Sequence, residues 1–123
     1  MTSNDPITVL YVDDEDINLM LFQLTFRKHF TVKTAISGLE ALHRLKEDMN
    51  IKLIISDMKM PEMDGISFIN KVKEINNSIP CAILSGYQKN EELNTYINNG
   101  LIIDYIMKPF SKEQILQLVE RTL

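Results

Sequence analysis

The sequence lacks the features that mark membrane, nucleic-acid-binding and secreted proteins. No apolar stretch is long enough to cross a bilayer, and the 13 basic residues form no dense cluster in a chain of formal charge −4. The first residues have neither the basic nor the apolar region of a signal peptide, and the single cysteine, Cys81, lies inside an apolar run. We therefore expect a cytoplasmic protein that spans no membrane and does not bind nucleic acid directly.

The composition that remains is typical of a globular domain. Hydrophobic residues make up 45% and charged residues 24% of the 123 residues, which disfavours disorder. A chain of this length buries about two thirds of the surface that its unfolded form exposes, enough for a real core. Because no linker, repeat or composition shift interrupts the sequence, we expect a single domain over residues 1–123 with no output domain.

Strand-length apolar runs alternate with helix-length stretches along the chain. The runs fall at residues 7–12, 31–35, 52–57, 80–85 and 102–107. The predicted helices cover residues 16–28, 38–48, 65–76, 90–98 and 111–122. Ser37, Asp64 and Ser111 precede helical patterns as N-caps, with Glu40 as a capping-box partner of Ser37. The alternation predicts an α/β fold in which helices cover both faces of a parallel sheet.

Charged and hydroxyl side chains stand where the predicted strands end. Asp13 and Asp14 follow the first run, Asp57 ends the third, Ser85 ends the fourth, and Lys108 follows the fifth. The carboxyl ends of parallel strands share one edge of the sheet, where open α/β sheets bind ligands. Three acids crowded there repel one another unless a cation intervenes, and carboxylate oxygens suit Mg²⁺. The sequence therefore predicts a magnesium site.

Such a site could take up a phosphoryl group. With the cluster neutralised by Mg²⁺, one oxygen of Asp57 would be free to attack phosphorus and form an aspartyl phosphate. Lys108 would add positive charge at the phosphoryl oxygens, and Ser85 a hydroxyl. Each residue alone has a simpler explanation. The acids near Asp13 could favour a helix N-terminus, Asp57 could cap a turn, and Lys108 could be a solvated surface lysine. Their joint placement at strand ends favours the phosphoryl site.

Four motifs carry a family resemblance that covers nearly the whole chain. They are Val12–Glu15, Ser56–Gly65, Leu84–Gly86 and Asp104–Phe110. Together they resemble the receiver domains of two-component response regulators. The resemblance implies a flavodoxin-like (βα)5 three-layer sandwich with a parallel sheet of strand order 2-1-3-4-5.

The resemblance also implies the roles of the acids. Asp57 would be the phosphoacceptor and a metal ligand, and Asp14 would bind Mg²⁺ directly. Asp13 would act on the metal mostly through water. The main-chain carbonyl of Lys59 would complete the metal site, and Lys108 would bind the phosphoryl oxygens.

A switch and its modulators follow from the same resemblance. Ser85 would be the switch hydroxyl, and Tyr105 the aromatic side chain that responds to it. The peptide bond of Lys108–Pro109 would be cis. Lys59 and Tyr87 occupy positions that control the attacking water in relatives, so we expect both to slow hydrolysis of the phosphoryl group.

The implied function is a phosphoacceptor signalling switch. It would accept its phosphoryl group from a histidine kinase or a histidine phosphotransfer domain. It would promote only its own phosphorylation and dephosphorylation, so we expect a signalling domain and not an enzyme. Its output would pass through the face made by the fourth helix, fifth strand and fifth helix to an effector domain or a separate partner.

Two stretches leave questions open. The first helix is apolar nearly all round from Ile17 to Phe26, which fits either a wide buried stripe or a docking face for the phosphoryl donor. His29 stands where relatives often have a helix-ending glycine, so we expect a positive φ there.

Three rival functions are weighed against the switch. An Mg²⁺-dependent phosphatase with an aspartyl nucleophile would carry a second acid two residues after Asp57, where this chain has Lys59. A flavin-binding electron carrier needs a phosphate loop after the first strand, where the acids beginning at Asp13 would repel phosphate. An interaction module that is never phosphorylated would not require the complete set of three acids, Ser85 and Lys108.

Overall fold

Ten regular elements alternate strictly along the described residues. The computed structural model describes residues 7–48, 50–86 and 91–123. The strands are β1 (Thr8–Val12), β2 (Thr31–Ala35), β3 (Ile51–Asp57), β4 (Cys81–Ser85) and β5 (Asp104–Met107). The helices are α1 (Asp16–Phe26), α2 (Gly38–Glu47), α3 (Gly65–Ile75), α4 (Glu91–Asn98) and α5 (Lys112–Thr122). In these ranges, no helix combines the length and the apolar character that a membrane span requires.

The strands form one parallel sheet in the order β2-β1-β3-β4-β5, as predicted. β1 pairs with β2 on one side and with β3 on the other, so the direction of chain progression reverses beside β1. In open α/β sheets a ligand crevice forms at such a reversal, beyond the carboxyl ends of the strands. The topology therefore places the residues that follow β1 and β3 where such a crevice forms.

Alternate residues of the central strands pack into two separate hydrophobic cores. Leu10 and Ile54 face a core that includes Leu45 of α2, Phe68 of α3 and Leu93 of α4. The intervening strand residues face the second core, which includes Phe22 and Phe26 of α1 and Ile115 and Leu118 of α5. Because successive side chains of a strand point to opposite faces, a strand buried on both faces becomes continuously apolar. The result is the predicted three-layer sandwich.

The helix N-termini carry the predicted caps, with one correction. The side chains of Ser37, Asp64 and Ser111 each accept a hydrogen bond from the backbone N–H three residues later. The reciprocal bond predicted for Glu40 is absent from the Ser37 amide, because the Glu40 carboxylate accepts from the N–H of Ile36 instead, at 3.2 Å. The complete capping box lies at Ser111 and Gln114.

Two other expectations need correction. The end of α1 requires no left-handed residue, because the N–H groups of His29 and Phe30 both donate to the carbonyl of Phe26 in a right-handed turn. Among the described non-glycine residues, positive φ occurs at Glu62 and not at His29. β5 begins at Asp104, two residues later than predicted, since the N–H groups of Leu101 and Ile102 turn back to a carbonyl of α4.

Gly65 brings the start of α3 against the end of β3. A Cβ atom at this position would lie 2.5 Å from the carbonyl oxygen of Asp57, closer than any side chain can approach. The N–H of Gly65 also donates to the carbonyl of Met58 at 2.8 Å. The loop after β3 is therefore tied back onto the strand tip that carries Asp57.

Candidate functional site

Three carboxylates meet at the carboxyl edge of the sheet. Asp13 follows β1, Asp57 is the last residue of β3, and Asp14 stands beside them. One carboxylate oxygen from each lies within 4.8 Å of the others. Asp13 is fully buried and Asp57 is only 8% exposed. The structure thus brings together the three acids that the sequence assigned to one site.

Among the described residues, Lys108 forms ion pairs with two of these acids. Its ammonium nitrogen lies 2.9 Å from Oδ1 of Asp57 and 3.9 Å from Oδ2 of Asp13. The backbone N–H of Lys108 donates to the carbonyl of Ser85 at 2.7 Å, which fixes the end of β5 beside β4. The Lys108–Pro109 peptide bond is cis, as predicted. The ammonium group of Lys108 thus lies against Asp57, nearer to that acid than to Asp13.

Burial raises the pKa of Asp57 above its ordinary value. The hydrogen bond and the positive charge of Lys108 lower that pKa, and the negative charge of Asp13 raises it, but removal from water is the largest effect. Lys108 therefore does not fully offset the effect of burying this carboxylate beside Asp13.

The donor set fits a hard divalent cation. Three carboxylates within 4.8 Å of one another offer only oxygen ligands, and Mg²⁺ prefers one or two carboxylates together with water and phosphate oxygens. A cation there would also relieve the repulsion among the acids. The residues present therefore suit the Mg²⁺ that the sequence predicts.

An open cleft leads from solvent to Asp57. Its volume is about 450 Å³, and Asp14, Lys59, Gly86 and Lys108 contribute to its walls. Lys59 is exposed at the rim. The Asp57 side chain is therefore reached from solvent through this cleft.

Ser85 and Tyr105 lie on the same face of the sheet. Tyr105 pairs with Ile83, and Ser85 is two residues beyond Ile83 on β4, so their side chains point to one side. Tyr105 is half-buried against the core that contains α2, α3 and α4. The two residues of the predicted switch thus lie on one face of the sheet. Tyr87 lies outside the described residues.

The sequence-based predictions missed the residues that hold Asp13. The hydroxyl of Tyr11 donates to Oδ2 of Asp13 at 2.8 Å, and the amide nitrogen of Asn18 donates to the same oxygen at 3.1 Å. The backbone N–H of Glu15 donates to Oδ1 at 3.0 Å. Burial, and then the charge of Asp13, raise the pKa of Tyr11. Tyr11 lies on β1 two residues before Asp13, but its position in an apolar run does not distinguish it from a core residue.

Known proteins resemble this chain in sequence and in fold. A family model described as the response regulator receiver domain matches residues 9–120. The transcriptional regulatory protein ZraR of Escherichia coli (strain K12) is 30% identical over 122 residues, which make up 98% of this chain and 27% of that protein. The chain spans about a quarter of the length of the curated relatives it matches.

Solved structures agree with this relationship. The chemotaxis protein CheY4 of Vibrio cholerae superposes with a TM-score of 0.87 at 28% identity, covering 97% of this chain and 100% of that chain. A structure described as adenylate cyclase from Rhodopirellula baltica gives a TM-score of 0.90 at 27% identity, covering 96% and 87% of the two chains.

The raised pKa of Asp57 predicts a pH-dependent stability difference. In chelator, we expect Asp57→Asn to gain stability relative to the parent as pH rises from about 3.8 towards neutrality. In that interval the unfolded chain ionises Asp57 freely, whereas the folded protein resists ionisation, so the parent loses stability that the amide retains. Urea unfolding across this pH range measures the difference.

Glu74→Gln is the matched control, because it removes an exposed carboxylate from α3 and so reports the general effect of losing one negative charge. The stability difference between Asp57→Asn and the parent should grow with rising pH. A difference that stayed constant or became smaller would contradict the electrostatic account.

Proposed function

The chain belongs to the response regulator receiver domain family, and we propose that it stores a signal as a phosphoryl group on Asp57. Phosphorylation and Mg²⁺ binding are general properties of this family. The observation that carries the proposal is the position of Asp57 at a strand tip, between two further acids and the ammonium group of Lys108. That arrangement provides a nucleophile, a cation site and a partner for the phosphoryl oxygens in one cleft.

We assign the metal ligands from the same cluster. Asp14 and Asp57 would bind Mg²⁺ directly, Asp13 would act mostly through water, and the carbonyl of Lys59 would complete the site. When bound, the ion supplies positive charge that offsets the acids and the incoming phosphoryl oxygens. The greater exposure of Asp14 relative to Asp13 and Asp57 is consistent with a ligand that faces the cleft.

The transfer itself requires little beyond positioning. A carboxylate oxygen of Asp57 forms the new bond to phosphorus while the bond from phosphorus to the donor breaks, and the donor keeps that electron pair. Lys108, already 2.9 Å from Oδ1 of Asp57, is close enough to pair with the phosphoryl oxygens once they arrive. The protein thereby modifies only itself, and it needs no outside substrate other than the donor.

We propose that α1 provides the docking face for the donor. Ile17, Met20, Leu21 and Leu24, the α1 apolar face, are each 51% to 56% exposed. Phe22 and Phe26 are buried on the opposite side of the helix. The helix therefore has both a buried stripe and an exposed apolar face, and the two interpretations of its sequence are compatible.

A groove connects this face to the site. Its volume is about 370 Å³, and its walls include Leu21 and Thr25 of α1 together with Pro109, Phe110 and Lys108. A donor seated on the α1 apolar face would therefore lie beside the lysine that reaches Asp57. A histidine kinase or histidine phosphotransfer domain is the class of partner that we propose.

Ser85 and Tyr105 would convert the phosphoryl group into a change of surface. A phosphoryl group on Asp57 adds charge and acceptor oxygens near the end of β4, which draws the Ser85 hydroxyl towards it. Tyr105, on the same face of the sheet, can then move inward. The surface of α4, β5 and α5 would carry this change to an effector domain or a separate partner.

Phosphorylation of Asp57 is directly testable. On incubation with acetyl phosphate and Mg²⁺, we expect intact mass to show one added phosphoryl group, lost in Asp57→Ala because the nucleophile is missing. Asp16→Asn, which changes an exposed acid in the neighbouring acidic run, should keep the adduct. Formation of the phosphoryl adduct to the same extent by Asp57→Ala and the parent would contradict the proposal.

The rate at which the phosphorylated protein loses its phosphoryl group tests the role of Lys59. Because the exposed Lys59 stands at the rim of the cleft, we propose that it hinders the attacking water, so Lys59→Asn should shorten the lifetime of the adduct. An unchanged decay rate would remove this role. The matching role of Tyr87 stays a sequence-based prediction.

The switch predicts a response of Tyr105 to a phosphoryl mimic. Beryllofluoride with Mg²⁺ should shift the ring NMR signals of Tyr105 in the parent, because movement of Ser85 opens space for the ring. Ser85→Ala should lose most of this shift, since it has no hydroxyl to donate. Identical Tyr105 signals with and without the mimic would exclude the mechanism.

The docking face predicts a donor-specific defect. The double variant Met20→Gln, Leu24→Gln should slow phosphotransfer from a histidine phosphotransfer domain about tenfold or more, because it removes apolar contacts at the centre of the interface. Phosphorylation by acetyl phosphate should be unaffected, since a small donor needs no docking.

Leu39→Gln is the matched control, because Leu39 is 62% exposed on α2, away from this face. Leu19 is excluded from the test because it is partly buried against the core. Equal rates from the protein donor for the double variant and the parent would refute docking at α1.

A further inference from the structure

The Asp13 carboxylate accepts hydrogen bonds from two side chains, those of Tyr11 and Asn18, to which the proposed function gives no role. We propose that Tyr11 and Asn18 are positioning residues for the metal site, which fix the Asp13 carboxylate in one orientation before a cation binds. The inference rests on the proposed magnesium site. It concerns how the site is prepared and not which residue accepts the phosphoryl group.

The hydrogen bonds to the Asp13 carboxylate come from three different parts of the chain. Tyr11 on β1 and Asn18 on α1 both donate to Oδ2, at 2.8 and 3.1 Å. The backbone of Glu15, between these two elements, donates to Oδ1 at 3.0 Å. With both oxygens engaged, the carboxylate cannot rotate without breaking at least one bond. Its direction is therefore set by the fold.

Tyr11 is itself rigidly placed. Its side chain is 2% exposed, and its ring stacks on Phe22 with the centroids 4.1 Å apart and the planes at 6°. Tyr11 also lies within β1, paired with Thr34 on one side and Ile55 on the other. The hydroxyl can therefore act as a fixed donor and not as a side chain that adapts to its acceptor.

Asp13 would act on the cation mostly through water, and a fixed carboxylate should orient that water better than a mobile one. Partners that hydrogen-bond to a metal-binding carboxylate orient it, and their removal typically weakens metal binding by 10- to 100-fold. The alternative is that Tyr11 only fills the core and its hydroxyl satisfies a buried acid. The two explanations predict different results when the hydroxyl is removed and the ring is kept.

Isothermal titration of the unphosphorylated protein with Mg²⁺ tests the proposal. Tyr11→Phe keeps the stacked ring, and we expect its Kd for Mg²⁺ to rise on the order of tenfold. Asn18→Ala, at a half-buried helix position, should shift the Kd in the same direction and serves if Tyr11→Phe folds poorly. Both variants should remain folded by circular dichroism at the titration temperature.

Tyr96→Phe is the matched control. Tyr96 also donates its hydroxyl to a carboxylate, that of Glu92 at 3.0 Å, but it does so on α4, away from the acid cluster. The same atom is deleted and the same type of bond is lost, so this variant should keep the parental Kd.

A Kd for Tyr11→Phe and Asn18→Ala within twofold of the parent, or tighter, would overturn the positioning role while leaving the magnesium site and Asp57 phosphorylation intact. If the parent itself bound no Mg²⁺, both the positioning role and the metal assignment would fail. The two failures are therefore distinguishable in one titration series.

Discussion

The ion pair between Lys108 and Asp57 is the interaction on which the rest of the site depends. It joins the ends of β5 and β3 across the crevice, at 2.9 Å between the ammonium nitrogen and a carboxylate oxygen. Lys108 pairs with a cluster of three acids, two of them buried, so this ion pair alone leaves the cluster short of positive charge. This shortage makes a cation favourable there, and the same lysine is in place for the oxygens of a phosphoryl group.

The topology of the sheet brings these charged side chains close together. Parallel strands end at one edge, and the reversal of strand order beside β1 places the tips of β1 and β3 next to each other. Gly65 lets the start of α3 approach the carbonyl of Asp57, and the Lys108 amide binds the carbonyl of Ser85. The core therefore stabilises an acid cluster that the side chains alone would not form.

The parts that the sequence predicted are those that depend on periodicity and chain order. The parallel sheet and the gathering of Asp13, Asp57 and Lys108 follow from where apolar runs end, whereas the strand order was implied by the family resemblance, and the structure confirms all three. The role of Tyr11 could not be predicted in the same way. Within an apolar run a tyrosine is indistinguishable from a core residue, because only the packed structure shows where its hydroxyl points. Likewise, the prediction for His29 failed because the backbone N–H groups after α1 donate to the carbonyl of Phe26, and the prediction for Glu40 failed because its carboxylate accepts from the N–H of Ile36.

Locating the phosphoryl group on the chain tests the account most directly. After reaction with acetyl phosphate and Mg²⁺, borohydride reduces an aspartyl phosphate to homoserine, and peptide mapping by mass spectrometry identifies the altered position. The account predicts homoserine at position 57 alone, formed only when Mg²⁺ is present. Modification at Asp13, Asp14 or any other residue in place of Asp57, or equal modification in excess chelator, would contradict it.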